Sequence, residues 1–224
     1  MSPIVDNFFN PAFMLKYGPS IAFGLWETVQ MAVLVVATGL AGGLLLAALR
    51  TFAFKPANFL IVVFADICRA LPPLVLIIVC YFGLPLLGLR LPGFFVAWAV
   101  LSAILMAFAE EVFWAGLNSI HKGQWDAARS TGLGLARTLR LVILPQAVRV
   151  VVPPLTSRVV ATVKNTALAS TVAVPDMLSR ASEALAEGAN TTPLTMAAIG
   201  YLLLLLPLVL LSRRLERRYA WTAR

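Results

Sequence analysis

Asp66, Arg69, Glu110, Glu111, Arg158 and Lys164 are charged residues set beside long apolar runs. At the centre of a membrane helix a charge costs roughly 2.5 kcal/mol or more, so such groups pair with one another or line a wet path. Asp66 and Arg69 stand at i, i+3, the spacing at which helical side chains meet, and can neutralise each other. In a second reading Asp66, Arg69, Glu111, Arg158 and Lys164 line a route for a zwitterionic solute, its carboxylate and ammonium each meeting an opposite charge. In a third, Asp66 and Glu111 carry protons in an autonomous ion-coupled transporter or channel. Glu111 has the further options of pairing with Lys122 or extending to the membrane surface.

Covalent chemistry finds no support. His121 is the single histidine and falls in a loop, with no Ser-His-Asp arrangement to join. No phosphate-cradling GxxxxGK[ST] is present, so the chain is expected neither to bind nor to hydrolyse ATP, and its energy must come from a partner. Cys68 and Cys80 lie in hydrophobic surroundings without a CxxC or Cys/His set, which points to small apolar fillers rather than a metal site or a disulfide. The net charge of +8 comes without an aromatic-basic motif, so nucleic acid is not the expected partner.

The elements that must position these charges are membrane helices. With 60% hydrophobic and only 12% charged residues and a mean hydropathy of +0.89, the chain reads as an all-α integral membrane protein. About five spans of near 20 residues fit: Leu25–Leu49, Phe59–Leu87, Gly93–Leu117, Leu144–Val163 and Leu194–Leu211. The second should break near Leu71, because Pro72 and Pro73 disfavour helical geometry. The fourth carries Arg149, Pro153, Pro154 and Arg158 and is hard to recognise by hydropathy. It is tolerable only where its polar groups face protein or water. Residues 1–20 lack the features of a signal peptide and suit a short interfacial helix around Phe8, Phe9, Phe13 and Met14. Residues 171–192 read as a polar connection with a helix from Pro175 to Ala186. No repeat or linker divides the chain, so a single domain over 1–224 is expected, with its core at about 20–215.

Between the third and fourth spans lies a segment, His121 to Pro154, that is not hydrophobic enough for membrane in its first half. Trp125 to Thr131 suits a short alanine-rich helix, which Gly132 can end in the left-handed conformation. A second short helix fits after Gly134, with Leu135, Leu139 and Val142 on one face, Arg137 and Arg140 turned away, and Pro145 closing it. This hairpin shows small residues outward, which favours close approach by another protein over chemistry.

Asp126-Ala127-Ala128, Gly132 after three residues, then Val142, Leu144 and Pro145 resemble the EAA signature of importer permeases in the ATP-binding cassette superfamily, with valine in place of its isoleucine. The flanks Lys122-Gly123-Gln124-Trp125 and Gln146-Ala147-Val148-Arg149 are similar to the polar amino acid branch. So are Phe64 to Arg69 before Pro72, Ala107 to Phe113 with Glu111 on the family's glutamate, and Lys164-Asn165-Thr166-Ala167-Leu168. Ala70, Leu71 and Pro73 depart from the pattern, and Trp114 stands where the family has arginine.

The resemblance implies a permease subunit of an ATP-driven amino acid importer. It implies a coupling loop over about 121–144, contacting an ATPase through Gln124, Trp125, Asp126, Ala127, Ala128, Arg129, Gly132, Val142, Leu144 and Pro145. The implied partners are a cytoplasmic ATPase dimer, which holds the ATP and magnesium, a second permease subunit, identical or homologous, an extracytoplasmic solute-binding protein, a polar amino acid and membrane lipid. Physically, Asp126 would favour the positive N-terminal end of the first short helix. Basic residues concentrate after the first span, in the hairpin and in the tail Arg213 to Arg218, so the positive-inside bias places these in the cytoplasm and the N-terminus outside.

Overall fold

A computed structural model describes residues 3–51 and 54–219, and among them the regular structure is entirely helical. After α1, Pro3–Phe8, comes α2, Pro11–Arg50, started by Asn10, whose side chain accepts the Ala12 N–H at 3.0 Å. At 1.5 Å per residue a helix this long measures about 60 Å, twice a hydrocarbon core of ~30 Å, so its first turns stand outside the apolar layer. The expected interfacial helix around residues 8–14 is therefore split between α1 and the start of α2.

α3, Lys55–Ala70, and α4, Pro73–Gly83, meet at a bend of 106°. Leu71 at the break is extended (φ −92°, ψ 139°), the geometry that Pro72 imposes on its predecessor. A turn of 3₁₀ helix, Leu84–Leu87, ends this broken pair. α5, Gly93–Asn118, matches the expected third span. Beyond the hairpin, α8, Leu144–Asn165, leads through 3₁₀ helix Thr166–Val172 into α9, Met177–Gly188, and α10, Thr192–Tyr219. α2, α5 and α10 are long and apolar enough to cross a membrane, and the α3–α4 pair qualifies as a broken span. α8 falls short on hydropathy, as its arginines and prolines led one to expect.

α5 is the central helix. Gly39, Gly43 and Ala47 form a small-residue stripe on α2 that receives Leu105 and Ala109 of α5; a Cβ at Gly43 would stand 2.5 Å from that of Ala109. Small residues at such seams let backbones approach where no hydrophobic effect drives helices together. Thr38 and Ser102 share a hydrogen bond of 2.8 Å across the same seam. Met31, Val35, Ala65, Cys68, Ile77 and Leu101 fill the space between α2, α3, α4 and α5. Cys68 is thus the apolar filler expected of it, and both cysteines are free.

The connection after α8 is more than a polar loop. Met177, Ala181 and Ala184 of α9 are buried against Tyr17 and Ile21 of α2 and Ala197 of α10. The backbone enters α9 so close to α2 that a Cβ at Gly24 would lie 2.8 Å from the Asp176 carbonyl oxygen. Here the Met177 N–H donates to Thr28 Oγ1 (3.2 Å), and Thr28 donates to the Gly24 carbonyl (2.9 Å). Asp176 caps α9 by accepting the Ser179 N–H at 2.8 Å, yet only 1% of the residue is exposed, and its Oδ2 is buried without a hydrogen-bond partner among the described residues. Burial pushes its carboxyl from 3.8 up to about 6, against the opposing pull of the Ser179 and Leu178 backbone N–H groups.

This shift has a sign that can be checked. Between those two pH values the native state holds more protons than the unfolded chain, so this contribution is full below about 3.8 and declines as pH rises through about 6. Two units correspond to about 2–3 kcal/mol. Asp176→Asn keeps a capping oxygen and cannot ionise. Its unfolding midpoint in detergent should fall less than that of the natural chain between pH 4.5 and 7.5, and equal slopes for the two proteins would contradict the assignment.

Candidate functional site

The first of two sites is ionic. α2 ends in Arg50, whose Nη1 donates to Glu110 Oε1 of α5 at 2.9 Å; the Glu110 side chain is 1% exposed. The Arg50 guanidinium also lies 4.6 Å from the centre of the Trp114 ring. On α3, Arg69 donates from Nη2 to Asp66 Oδ1 at 2.6 Å, from Nε to the Ala65 carbonyl at 3.2 Å, and pairs through Nη1 with Glu111 of α5. Arg50, Arg69, Glu110, Glu111 and Trp114 line one cleft of about 190 Å³. Two cations and three carboxylates from three helices thus pair, the Arg50–Glu110 pair largely buried and the Asp66 and Glu111 carboxylates on Arg69 exposed.

Of the charges proposed for a solute route, Asp66, Arg69 and Glu111 come together. The Asp66–Arg69 pairing stands and extends to Glu111, which leaves Lys122 out. Arg158 and Lys164 do not join this network. Arg158 is exposed on α8, its guanidinium 4.0 Å over the Phe108 ring, and Lys164 is exposed with no ion pair among the described residues. Reading Arg50 as a mark of orientation missed its pairing with Glu110. The usable signal was Glu110 directly after the small residues Ala107 and Ala109, which are buried on α5. The Arg50 cation thus stands beside Trp114.

The second site is the hairpin. α6, Lys122–Ser130, starts a turn earlier than expected because His121 caps it, Nδ1 accepting the Gly123 N–H at 3.1 Å. Asp126 consequently sits in the second turn, beyond the reach of the helix-start charge, so its expected favourable placement at the N-terminus does not hold. Thr131 Oγ1 donates to the Ala128 carbonyl at 2.7 Å, and Gly132 turns the chain with φ +82°. Ala128 is buried, while Gln124, Asp126, Ala127, Arg129 and Gly132 are exposed and Trp125 half-buried.

The second arm departs from expectation. Pro145 closes nothing: α7, Leu135–Thr138, a π turn, Leu139–Ile143, and α8 follow without a break, and Pro145 lies in the first turn of α8. The Leu144 N–H reaches back five residues to the Leu139 carbonyl. A wide turn here steps the hydrogen-bond ladder past a residue that has no N–H to give. The extra residue also rotates the buried face. Thr138 and Ile143 are fully buried, Leu139 and Val142 only partly, and Leu135, expected inside, is 65% exposed. Gln146 ties the two arms, donating to Gln124 Oε1 at 3.3 Å and to the Val142 carbonyl at 2.8 Å.

Residues 39–221 match the profile of the binding-protein-dependent transport system inner membrane component family. The chain belongs to this permease family. It is 34% identical over 203 residues to the probable glutamine ABC transporter permease protein GlnM of Bacillus subtilis, covering 88% of this chain and 93% of that one. The glutamine transport system permease protein GlnP of Escherichia coli is 34% identical (89% and 93% covered), and the glutamate permease GluC of Corynebacterium glutamicum 33% (91% and 95%). A crystal structure of an amino acid ABC transporter with histidines superposes with a TM-score of 0.83 at 29% identity, over 92% of this chain and 96% of the other. An inward-facing structure of the MetNI methionine ABC transporter superposes at 0.71 with 18% identity, over 90% and 96%, a likeness of fold. The permease is therefore an integral membrane transport subunit, and membership favours this over an autonomous ion-coupled carrier.

Removing Glu110 would leave the Arg50 charge unpaired in a mostly buried place, a change that costs about 3 kcal/mol or more. Glu110→Ala should lower the unfolding midpoint of the permease strongly. The double variant Arg50→Ala/Glu110→Ala should recover part of the loss, and strict additivity in that cycle would show the pair uncoupled.

Proposed function

We propose that this permease is the translocating subunit of an importer for polar amino acids, moved by a cytoplasmic ATPase through the hairpin at residues 121–144. The observation that carries the reading is the hairpin itself. Asp126 and Ala127 of its EAA-like set stand exposed beside a left-handed Gly132, Ala128 packs inward, and its second arm runs unbroken into α8. Substrate class rests on the relatives, whose names specify glutamine, glutamate and arginine.

In this reading Gln124, Trp125, Asp126, Ala127, Ala128, Arg129, Gly132, Val142, Leu144 and Pro145 form or support the surface that meets the ATPase. Asp126 acts as an exposed carboxylate for a partner cation rather than as a helix-start charge. ATP and magnesium belong to that partner, and this chain carries no cofactor and catalyses no reaction. A solute-binding protein delivers the amino acid at the opposite face, and a second permease subunit completes the path. Asp66, Arg69, Glu111, Arg158 and Lys164 are the candidates to border it, with the first three exchanging their mutual pairing for the solute's charges. The excess of basic residues beside the hairpin and at the end of α10 supports a cytoplasmic C-terminus and an N-terminus outside. The whole chain acts as one domain.

Gly132 offers a clean test, because a Cβ there meets nothing within 4 Å in this chain. Gly132→Leu should insert normally and lose no more than about 1–2 kcal/mol to its left-handed backbone, yet lose most ATP-dependent uptake of amino acid in vesicles containing the ATPase. Full uptake by this variant would sink the coupling role, and uptake driven by an ion gradient with no ATPase would sink the whole reading.

A further inference from the structure

On the side of α8 away from Phe108 and Arg158, α2, α8 and α10 enclose a long apolar groove. Two adjoining cavities of about 440 and 320 Å³ share Val36, Val159 and Leu208 as walls. The groove runs from Val29 to Leu40 on α2, from Val163 to Val152 on α8 and from Leu204 to Leu215 on α10. Each stretch rises about 16 Å at 1.5 Å per residue. That is close to half of a ~30 Å hydrocarbon core, the depth of one leaflet. A partner's membrane helix would need the full thickness, whereas an acyl chain needs only this half.

One end of the groove is basic. On α8 the lining residues Val163, Val159, Thr156 and Val152 form a stripe at alternating spacings of four and three, and its next member is Arg149. On α10 the stripe Leu204, Leu208, Leu211 and Leu215 continues in the same way to Arg218. Both arginines are exposed, and among the described residues neither forms an ion pair. Glu216, the carboxylate on this part of α10, is engaged by Ser212 at 2.8 Å and Ser157 at 3.4 Å. An apolar lining of one leaflet's depth, with an unpaired arginine as the next member of the stripe on two of its three helices, has the chemistry of a phospholipid with a negatively charged headgroup.

We propose that this groove is a binding site for one anionic phospholipid, with an acyl chain along Val36, Val159 and Leu208 and its phosphate between Arg149 and Arg218. The site does not depend on the coupling hairpin or on which solute is carried. Its role is to hold α2 and α10 against α8 at the helix that continues from the hairpin.

Phosphatidylglycerol and phosphatidylcholine with identical acyl chains distinguish the site from general adhesion. Titrated against the full chain, in the complex with which it copurifies, and read by native mass spectrometry, phosphatidylglycerol should bind more tightly. The preference should fall about fivefold for each arginine neutralised, the ratio equivalent to about 1 kcal/mol, in Arg149→Gln and Arg218→Gln. Arg213→Gln and Arg217→Gln remove as much charge away from the stripe and should leave it unchanged. Val159→Trp, which fills the groove, should weaken both lipids. Equal losses from the two arginine pairs, undiminished binding in Val159→Trp, or a disulfide joining two copies of Leu208→Cys in the membrane would each overturn the proposal.

Discussion

The close seam between α2 and α5 governs how this permease holds charge inside a membrane. Gly39, Gly43 and Ala47 have no side chain large enough to keep the helices apart, so α2 descends along α5 until Arg50 arrives beside Glu110. The two backbones must be near for a 2.9 Å contact between a nearly unexposed carboxylate and a guanidinium on the neighbouring helix. Steric smallness at one level thus fixes electrostatic pairing at the next. Once Arg50 is placed, Trp114 receives its flat cation, and Glu111, one residue on, is turned toward α3 and Arg69. At the α3–α4 break made by Pro72 and Pro73, the Leu71 N–H is still satisfied, donating to the Ile67 carbonyl at 3.3 Å.

Much of this was legible in the residues. Hydropathy places α2, α5 and α10, and the proline pair places the break, since each rests on a local rule that tertiary structure does not overrule. The hairpin was found from spacing, and its Gly132 turn follows from backbone sterics alone. What escaped were relations between distant segments. Arg50 could be counted as a basic flank, but its partner sixty residues on emerges only when α2 meets α5. Asp176 looked like one more polar residue in a connection; burial against α2 and Tyr201's helix is not written in its neighbours. Pro145 misled for a local reason. A helix can pass a proline if the preceding turn widens, and that choice depends on packing of Thr138 and Ile143.

The widened turn bears on how the hairpin is joined to the membrane helices. Had Pro145 ended a separate helix, force on α6 would have had to pass through a flexible joint before reaching α8. Instead the path from Leu135 to Asn165 is helical throughout, with one π turn and Pro153 and Pro154 as its soft points. Helices bend at such places because a missing or lengthened hydrogen bond lowers local stiffness. Rotation of the hairpin would therefore reach α8 first as a change in direction and only then as a displacement of its C-terminal half. Arg158 lies on that C-terminal half, over Phe108 of α5, and Phe108 stands one helical turn from Glu111. A shift of α8 relative to α5 must act on that stacked contact before it acts on the ionic network. The network is in turn anchored to α2 through the neighbouring Glu110–Arg50 pair, and α2 bears on α9 through Gly24 and Thr28 at its other end. The hairpin, α8, α5, α2 and α9 are thus joined in one chain of contacts, with a pair of prolines and a salt-linked seam among its links.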